Sequence, residues 1–216
     1  MGEMKKDVSL VVIRRLPRYY RYLTELKESG IVRISSKALA EKMQVTASQI
    51  RQDLNCFGGF GQQGYGYNVS QLQAAIGDIL GLNENHTTII IGAGNLGRAI
   101  ANYGSFEKRG YRLIGIFDIN PDVVGKVING ITVSHMDTID EFFQKQKPDI
   151  AILTIPKNVA VEVAQKLASL GIRGIWNFSN MDLHMAVEGV EIENVHLSDS
   201  LMTLSYKIGK RKGENK

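Results

Sequence analysis

A glycine-rich turn between an apolar strand and a helix constrains the fold of this chain more than any other feature. Residues 88–91 are a β-branched, apolar run that leads into Gly92-Ala93-Gly94-Asn95-Leu96-Gly97. Helix-forming residues follow, and a second apolar run ends on Asp118. In this setting the glycines permit a tight turn, close approach of a pyrophosphate, and close packing of helix on strand. The pattern predicts a dinucleotide site at the N-terminus of the helix, where free N–H groups favour phosphates.

Strand and helix patterns alternate from residue 87 onward. We predict strands at 88–91, 112–117, 150–154 and 174–177, weaker strands at 127–131 and 190–195, and helices near 95–108, 138–146 and 158–170. This alternation predicts a parallel sheet with right-handed crossovers, a Rossmann domain of the α/β class. Ligands of such sheets bind at the carboxyl ends of the strands. We therefore expect the dinucleotide beside Thr154, Ile155, Pro156, Asn177 and Phe178.

Asp118 has two interpretations. At the end of the second strand it would accept hydrogen bonds from the adenosine ribose and repel a 2′-phosphate, which favours NAD(H) over NADP(H). The alternative is a plain turn residue at a strand end.

The first 85 residues carry a different pattern. The spacings predict a helix within 9–29 that starts near Pro17, a helix from a cap at residues 35–36 to residue 43, and a helix over 47–55 capped by Thr46. Two short helices joined by a tight turn are typical of a helix-turn-helix. The second helix carries, away from its apolar stripe, residue types that bind base edges and phosphates, namely Ser48, Gln49, Arg51 and Gln52. A solvated helix face has the same pattern.

A glycine-rich segment with interleaved aromatic residues follows this helix. Residues 57–68 hold five glycines, which predicts a tight hairpin, the wing of a winged helix, with a flexible loop as the alternative. A further helix over 69–82 and a polar boundary at 83–86 follow. We therefore expect a DNA-binding domain at 1–85, a nucleotide-binding domain at 86–196, and a terminal helix and basic tail at 197–216. That helix either covers the sheet or reaches a second subunit.

Charge and cysteine content narrow the partners. The chain carries 26 basic and 22 acidic residues, and residues 1–55 hold 11 of the basic ones against 6 acidic ones, so an anionic partner is expected at the N-terminal third. The single cysteine, Cys56, excludes an internal disulfide and a cysteine-based zinc cluster, and we expect its thiol to be at least half-buried. No metal site is apparent. Without a signal-peptide pattern or a long apolar run, the chain is expected in the cytoplasm.

Taken together, these segments resemble the Rex family of bacterial redox-sensing transcriptional repressors. The resemblance covers residues 9–208 and is carried by 15–20 (RLPRYY), 45–54 (VTASQIRQDL), 57–69 (FGGFGQQGYGYNV), 92–97, 153–156 (LTIP) and 177–178 (NF). It implies a homodimer that binds a palindromic operator with each winged helix in a major groove. It also implies release when NADH binds the Rossmann domains, and a C-terminal helix swapped onto the partner subunit.

The resemblance also implies roles for single residues. The wing residues expected at DNA are Phe60, Gly61, Gln62, Gln63, Gly64 and Tyr65. Tyr103 matches a tyrosine that takes part in the family's switch near the nicotinamide. Arg21 matches an arginine that pairs with an acidic residue of the C-terminal region in the state that binds DNA.

Three differences from the family pattern qualify these roles. His196 stands where many members have an acid, and the nearest acid is Asp199, so the pairing of Arg21 does not transfer as it stands. Glutamines replace basic residues of many members at Gln52, Gln62 and Gln63. Each lost phosphate contact lowers the salt slope by about 0.9, so weaker or less salt-dependent DNA binding is expected.

Two other functions fit parts of the sequence. An NAD-dependent dehydrogenase would share the glycine turn, but the chain ends soon after one Rossmann unit and its histidines form no hydride-transfer motif. A CoA- or nucleotide-binding module with an unrelated interaction domain would share the sheet, but not the winged-helix pattern or the ribose-binding aspartate.

Overall fold

The computed structural model describes residues 8–62 and 65–214, and the chain divides into two compact units between Glu84 and Asn85. The first unit contains α1 (Leu10–Ile13), α2 (Leu16–Glu28), β1 (Arg33–Ile34), α3 (Ser36–Met43), α4 (Ala47–Asn55), β2 (Gly61–Gln62), β3 (Gly66–Asn68) and α5 (Val69–Ile79). The strands form an antiparallel sheet in the order β1-β3-β2. This arrangement is the predicted winged helix.

Side-chain caps fix where the helices of the first unit begin. The side chains of Ser35, Thr46 and Asn68 accept hydrogen bonds from the backbone N–H groups three residues on, at the starts of α3, α4 and α5. Gln44 ends α3 in the left-handed conformation, with φ 56°. The predicted helix over 9–29 is divided into α1 and α2, with Pro17 in the first turn of α2, where proline is tolerated.

The second unit contains a mostly parallel sheet with helices. Its elements are β4 (His86–Ile91), α6 (Asn95–Ala101), β5 (Tyr111–Asp118), β6 (Val127–Ile128), β7 (Ile131–His135), α7 (Ile139–Lys145), β8 (Ile150–Leu153), α8 (Lys157–Ser169), β9 (Gly174–Asn177), β10 (Glu191–Asn194) and α9 (Leu197–Glu214). The strand order is β10-β9-β8-β4-β5-β7-β6. With the exception of the antiparallel β6–β7 pair, all neighbours are parallel. This is the predicted Rossmann sheet, and its order reverses between β4 and β8, where ligands of such sheets bind.

Two predicted elements of this unit were wrong in extent. The strand expected over 127–131 is a hairpin of β6 and β7, because Asn129 and Gly130 have φ values of 49° and 76° and form a tight two-residue turn. The helix expected over 95–108 ends at Ala101. There Asn102 caps it and turns its side-chain amide back to the carbonyl of Arg98 at 2.9 Å, which competes with continuation of the helix.

The C-terminal helix α9 is long and exposed. All its described side chains, from Leu197 to Lys210, are exposed, including those of Leu201 and Leu204. The apolar stripe of this helix therefore has no cover in the described chain. None of the helices among the described residues combines the length and apolar character needed to cross a membrane.

Candidate nucleotide site and recognition helix

The glycine turn at the end of β4 can be built only with glycine at two positions. Gly92 has φ +97°, and a Cβ there would lie 2.7 Å from the carbonyl oxygen of Thr154. A Cβ at Gly97 would lie 1.9 Å from the carbonyl oxygen of Gly92. Because glycine lacks a Cβ at both positions, α6 can pack directly on the turn, and its first residues lie at the point where the strand order reverses.

Gly94 has a different environment. It caps α6 with φ −68°, a conformation open to any residue, and a Cβ there would meet no atom within 4 Å. Because glycine has no side chain, no side chain caps the first N–H groups of the helix, and these are the groups that bind a pyrophosphate. Asn95 is exposed and Leu96 half-buried, while Ala93 is buried in the turn. The space beside Gly94, at the N-terminus of α6, is therefore open.

Asp118 joins β5 to the glycine turn. Its Oδ2 accepts a hydrogen bond from the Ala93 N–H at 2.6 Å, and its Oδ1 accepts one from the Asn120 N–H at 2.8 Å. The carboxylate is thus a turn residue in this structure. Each oxygen retains acceptor capacity, so the geometry is also compatible with ribose hydroxyls.

The residues after β8 face the same turn. The Thr154 hydroxyl donates to the carbonyl oxygen of Gly92 at 2.7 Å. Ile155 lies close enough that a side chain at Gly92 would meet its Cγ2 at 3.0 Å, and Pro156 is the N-cap residue just before α8. The structure therefore brings Thr154 and Ile155 against the glycine turn, and Pro156 follows them directly in the chain.

Asn177 and Phe178 lie at the end of β9. The side-chain amide of Asn177 is hydrogen-bonded within the protein, whereas the ring of Phe178 is partly exposed. The buried Asn177 amide donates to the Met181 carbonyl at 2.6 Å and to Asn194 Oδ1 at 2.8 Å, and its oxygen accepts from Ser179. Its polar atoms are thus engaged in fixing the loop after β9. Phe178 instead presents a half-buried ring that packs edge-on against Trp176, with ring centroids 4.6 Å apart.

Tyr103 follows α6, which separates it from the glycine turn by about 10 Å. Its ring is 53% exposed and packs on Phe106 at 4.9 Å, and Phe106 packs on Trp176 at 5.6 Å. Tyr103 is thereby connected to Phe178 through a row of aromatic rings. Phe106 and Trp176 were not predicted, although an aromatic residue next to Asn177 on a strand could have indicated Trp176.

Helix α4, the second helix of the predicted helix-turn-helix and hence the predicted recognition helix, has the expected exposed face except at one residue. Ser48, Arg51 and Gln52 are exposed, and the Arg51 guanidinium donates to the Ser36 hydroxyl at 3.3 Å. Gln49 is the exception, because it is half-buried and its amide nitrogen donates to Asp53 Oδ1 at 2.8 Å. Cys56 is exposed because it lies at the end of α4, so the prediction of an at least half-buried thiol was wrong. Its Sγ donates to the Gln52 carbonyl.

Asp53 is a buried residue of this helix that sequence reasoning missed. Arg15 binds it with Nε and Nη2, both at 2.6 Å, and the Tyr19 hydroxyl donates to it at 2.6 Å. Burial disfavours the charged carboxyl, yet the hydrogen bonds from Arg15, Tyr19 and Gln49 outweigh burial and lower its pKa. Burial, with the bond to Asp53, raises the pKa of Tyr19. The sequence signal is an aspartate within the apolar stripe of Ile50 and Leu54.

The wing is a short hairpin of β2 and β3, and β3 also pairs with β1. Gly66 has φ +70°, and a Cβ there would lie 2.5 Å from the Ile34 carbonyl oxygen. Tyr65 is 70% exposed, and Arg33 donates to its carbonyl at 3.3 Å. Of the other predicted wing residues, Phe60 packs on the core, Gly61 and Gln62 form β2, and Gln63 and Gly64 lie outside the described residues.

The predicted switch residues occur in both units. Arg21 is exposed on α2, with its guanidinium carbon 5.9 Å from the Tyr22 ring centroid. His196 is half-buried, with Nδ1 3.1 Å from Asn180 Oδ1, and Asp199 is exposed in the first turn of α9. Within the described part of the chain, no group of three or more His, Cys, Asp or Glu side chains is arranged to hold a metal ion.

Two family models match the chain, one in each unit. Residues 7–55 match a model described as a putative DNA-binding protein N-terminus, and residues 83–181 match one described as a CoA binding domain. The first model covers α1 to α4, and the second covers the glycine turn and β4 to β9.

Several proteins are similar to this one over nearly the whole chain. The redox-sensing transcriptional repressor Rex of Thermoanaerobacter pseudethanolicus is 58% identical over 204 residues, which cover 94% of this chain and 91% of the relative. Rex of Clostridium acetobutylicum is 56% identical over 203 residues, 94% of each chain. The crystal structure of RSP in complex with β-NAD+ and operator DNA is 56% identical, with a TM-score of 0.89 over 97% of this chain and 96% of RSP. RSP in complex with β-NADH is 53% identical, also with a TM-score of 0.89, over 97% and 98%. The chain therefore belongs to the Rex family of redox-sensing transcriptional repressors.

Proposed function

We propose that this protein is a transcriptional repressor that binds palindromic operator DNA and leaves it when NADH binds, so that it senses the NADH/NAD+ ratio. One observation carries the proposal: a winged helix with an exposed recognition face and a Rossmann sheet with an open glycine turn occur in one chain. The Rex relatives match this whole arrangement. RSP binds operator DNA together with NAD+ in one crystal structure and NADH in another, and we extend both ligands to this chain.

The residues of the glycine turn fit a dinucleotide. The open space beside Gly94 and the uncapped N–H groups of α6 would hold the pyrophosphate. Asp118, already oriented by two backbone N–H groups, would accept the ribose hydroxyls and repel a 2′-phosphate. Thr154, Ile155 and Pro156 would line the nicotinamide side of the reversal point.

Discrimination between the redox forms would come from charge. The oxidised nicotinamide ring is cationic and the reduced ring is neutral, so an apolar site disfavours the oxidised form through its desolvation cost. Phe178 and the aromatic row behind it supply apolar surface at the end of β9. Tyr103 lies at the other end of that row and would couple the redox state of the nicotinamide ring to the change between the DNA-bound and released states.

Release from DNA requires NADH and operator DNA to favour different states of the protein. A cofactor that bound both states equally would shift nothing. By reciprocity, operator DNA must weaken NADH binding by the factor by which NADH weakens DNA binding.

A palindromic operator calls for two copies of the winged helix. We propose a homodimer in which the exposed apolar stripe of α9 packs on the partner subunit. We place the protein in the cytoplasm, where operator DNA and the nicotinamide pool meet. The Rex relatives are repressors and the chain is not an enzyme, which removes the dehydrogenase alternative.

Fluorescence anisotropy of promoter DNA tests the proposal. The protein is bound to a labelled fragment of its own promoter and titrated separately with NADH and NAD+. We expect NADH to release the DNA at concentrations at which NAD+ leaves the complex intact. Tight binding indifferent to both cofactors would reject the sensor, and no DNA binding would reject the repressor.

The variant Gly94→Val separates cofactor binding from folding. Its backbone conformation suits valine and its surroundings are open, so the fold should persist while the side chain fills the phosphate position. DNA binding should therefore remain and the NADH response should disappear. A Gly94→Val variant that NADH still releases would contradict the placement of the cofactor.

A further inference from the structure

The buried carboxylate of Asp53 lies on α4 and belongs to neither the glycine turn nor the wing. It is 1% exposed, although it belongs to the helix that carries the predicted base-contacting residues. Its Oδ1 accepts from Arg15 Nη2 at 2.6 Å and Gln49 Nε2 at 2.8 Å, and its Oδ2 accepts from Arg15 Nε at 2.6 Å and the Tyr19 hydroxyl at 2.6 Å. Each oxygen thus holds two donors, which saturates the carboxylate.

This saturation determines how Gln49 is oriented. An ionised carboxylate only accepts hydrogen bonds, so Gln49 must turn its amide nitrogen toward Asp53. The amide oxygen and the second N–H then remain for another partner. Gln49 is half-buried and precedes Asp53 by one helical turn, next to the exposed Ser48. That free edge, one acceptor beside one donor, is the pattern with which glutamine binds the N6 and N7 atoms of adenine in the major groove.

The other two partners hold Asp53 in place. Arg15 directly precedes α2 and Tyr19 lies within it, so the network ties the recognition helix to α2 through charge-assisted bonds. The bond to Asp53 raises the pKa of Arg15, and burial together with that bond raises the pKa of Tyr19. Both groups therefore remain donors at neutral pH, and the Gln49 amide keeps one orientation.

We propose that Asp53 is a positioning residue for operator reading, which fixes the Gln49 amide so that Gln49 distinguishes one base pair of each half-site. Arg15 and Tyr19 act through Asp53. The inference rests on the proposed function, because it requires α4 to lie in the major groove.

A double-mutant cycle on base preference tests this role. The full-length protein selects a duplex from a randomised pool, and the affinities of Gln49→Ala, Asp53→Asn and the double variant are then measured on that duplex and on versions with each base pair changed in turn. Gln49→Ala should lose about tenfold discrimination at one base pair of each half-site. Asp53→Asn should lose discrimination at the same base pair, and the double variant should lose no more than either single variant.

A matched control is available in the same unit. Gln73 is a buried polar residue of α5 that donates to the Thr24 hydroxyl of α2 at 3.0 Å. Gln73→Leu therefore removes a buried bond to α2 without touching α4. It should leave the base-preference profile unchanged, whatever it does to stability.

Other outcomes overturn the inference. Asp53→Asn could keep the full profile, or could weaken binding to every duplex by the same factor, and either result would make Asp53 a purely structural residue. If Asp53→Asn does not fold, Tyr19→Phe decides, because it removes one donor to Asp53 and keeps the buried ring. It should reduce discrimination at the Gln49 base pair alone, and an unchanged profile would reject the proposal. If the unmodified protein selects no sequence, the proposed function fails together with it.

Discussion

Both carboxylate oxygens of Asp118 already bind backbone N–H groups, so this residue carries a structural and a proposed cofactor role. Replacement by asparagine keeps an acceptor for the turn but removes the charge that repels a 2′-phosphate. We expect Asp118→Asn to bind NADH about tenfold more weakly, because hydrogen bonds to charged groups contribute about 1.5–3 kcal/mol, and to lose its preference over NADPH. Isothermal titration with both cofactors measures this.

A comparison of two variants separates the two roles of Asp118. Asp118→Ala removes the acceptors for Ala93 and Asn120 as well, so it should lower the melting temperature more than Asp118→Asn. If both variants discriminate NADH from NADPH as the unmodified protein does, Asp118 is a turn residue only.

Asp149 gives the second unit an acid-sensitive contact. Burial disfavours its charged form, but hydrogen bonds from Thr87 and Arg173 outweigh burial and hold the pKa of the carboxyl below its ordinary value. A group whose pKa is lower in the folded state contributes stability above its unfolded pKa of about 3.9 and loses it as the pH falls further. We therefore expect the contribution of Asp149 to the free energy of unfolding to be constant above about pH 5 and to decrease below about pH 4.

Tryptophan fluorescence can follow this loss. The single tryptophan, Trp176, lies on β9 in the same unit as Asp149. Urea unfolding monitored by its emission should show a shallower acid slope in Asp149→Asn than in the unmodified protein, by at most about 1.4 kcal/mol per pH unit. Parallel curves for the two proteins would mean that Asp149 does not titrate differently in the folded state.

Gly97 and Gly94, both at the start of α6, differ in whether the packing requires glycine. A Cβ at Gly97 would overlap the Gly92 carbonyl, whereas a Cβ at Gly94 would meet open space. We expect Gly97→Ala to cost about 1–3 kcal/mol or more, because overpacking forces the helix off the turn, while Gly94→Ala changes stability little. Thermal unfolding of both variants checks the difference, and equal melting temperatures would show that α6 shifts without cost.

How far the sequence predicted these elements depends on the range of the interactions that form them. The caps at Ser35 and Thr46 and the glycine turn were predictable, because each is specified within a few residues. The β6–β7 hairpin was also specified locally, by the Asn129-Gly130 dipeptide that is favoured in two-residue hairpin turns, but the apolar residues on both sides of it gave the pattern of a single short strand. Local signals thus gave the winged helix and the Rossmann sheet, but not every boundary within them.

The Asp53 network shows what local patterns cannot supply. Asp53 and its partners Arg15 and Tyr19 are 38 and 34 residues apart in sequence, and no periodicity connects them. In sequence the aspartate interrupts an apolar stripe, whereas in the folded unit its two oxygens accept four hydrogen bonds. The Gln49 amide was therefore predicted as a free base-contacting group, while in the structure half of it is committed to a neighbour.

The exposed stripe of α9 bears on the assembly of the whole molecule. Leu197, Leu201, Leu204 and Ile208 recur at three- and four-residue spacings and are 50–64% exposed. This spacing places them on one face of the helix, and an exposed apolar face of this kind marks an interaction site. The sequence left open whether α9 covers its own sheet or reaches a second subunit, and a charged substitution on the stripe distinguishes these.

We expect Leu201→Glu combined with Leu204→Glu to convert a dimer into monomers, because two carboxylates would have to be buried at the interface. Sedimentation velocity measures the change in mass. Each monomer would then bind a single half-site, so operator affinity should fall by about a hundredfold or more while NADH binding to the Rossmann unit persists. Met185→Glu adds one carboxylate at a 98% exposed apolar residue outside α9 and should leave the dimer intact. A double variant that remains dimeric would place α9 on its own subunit and assign the contact between copies to another surface.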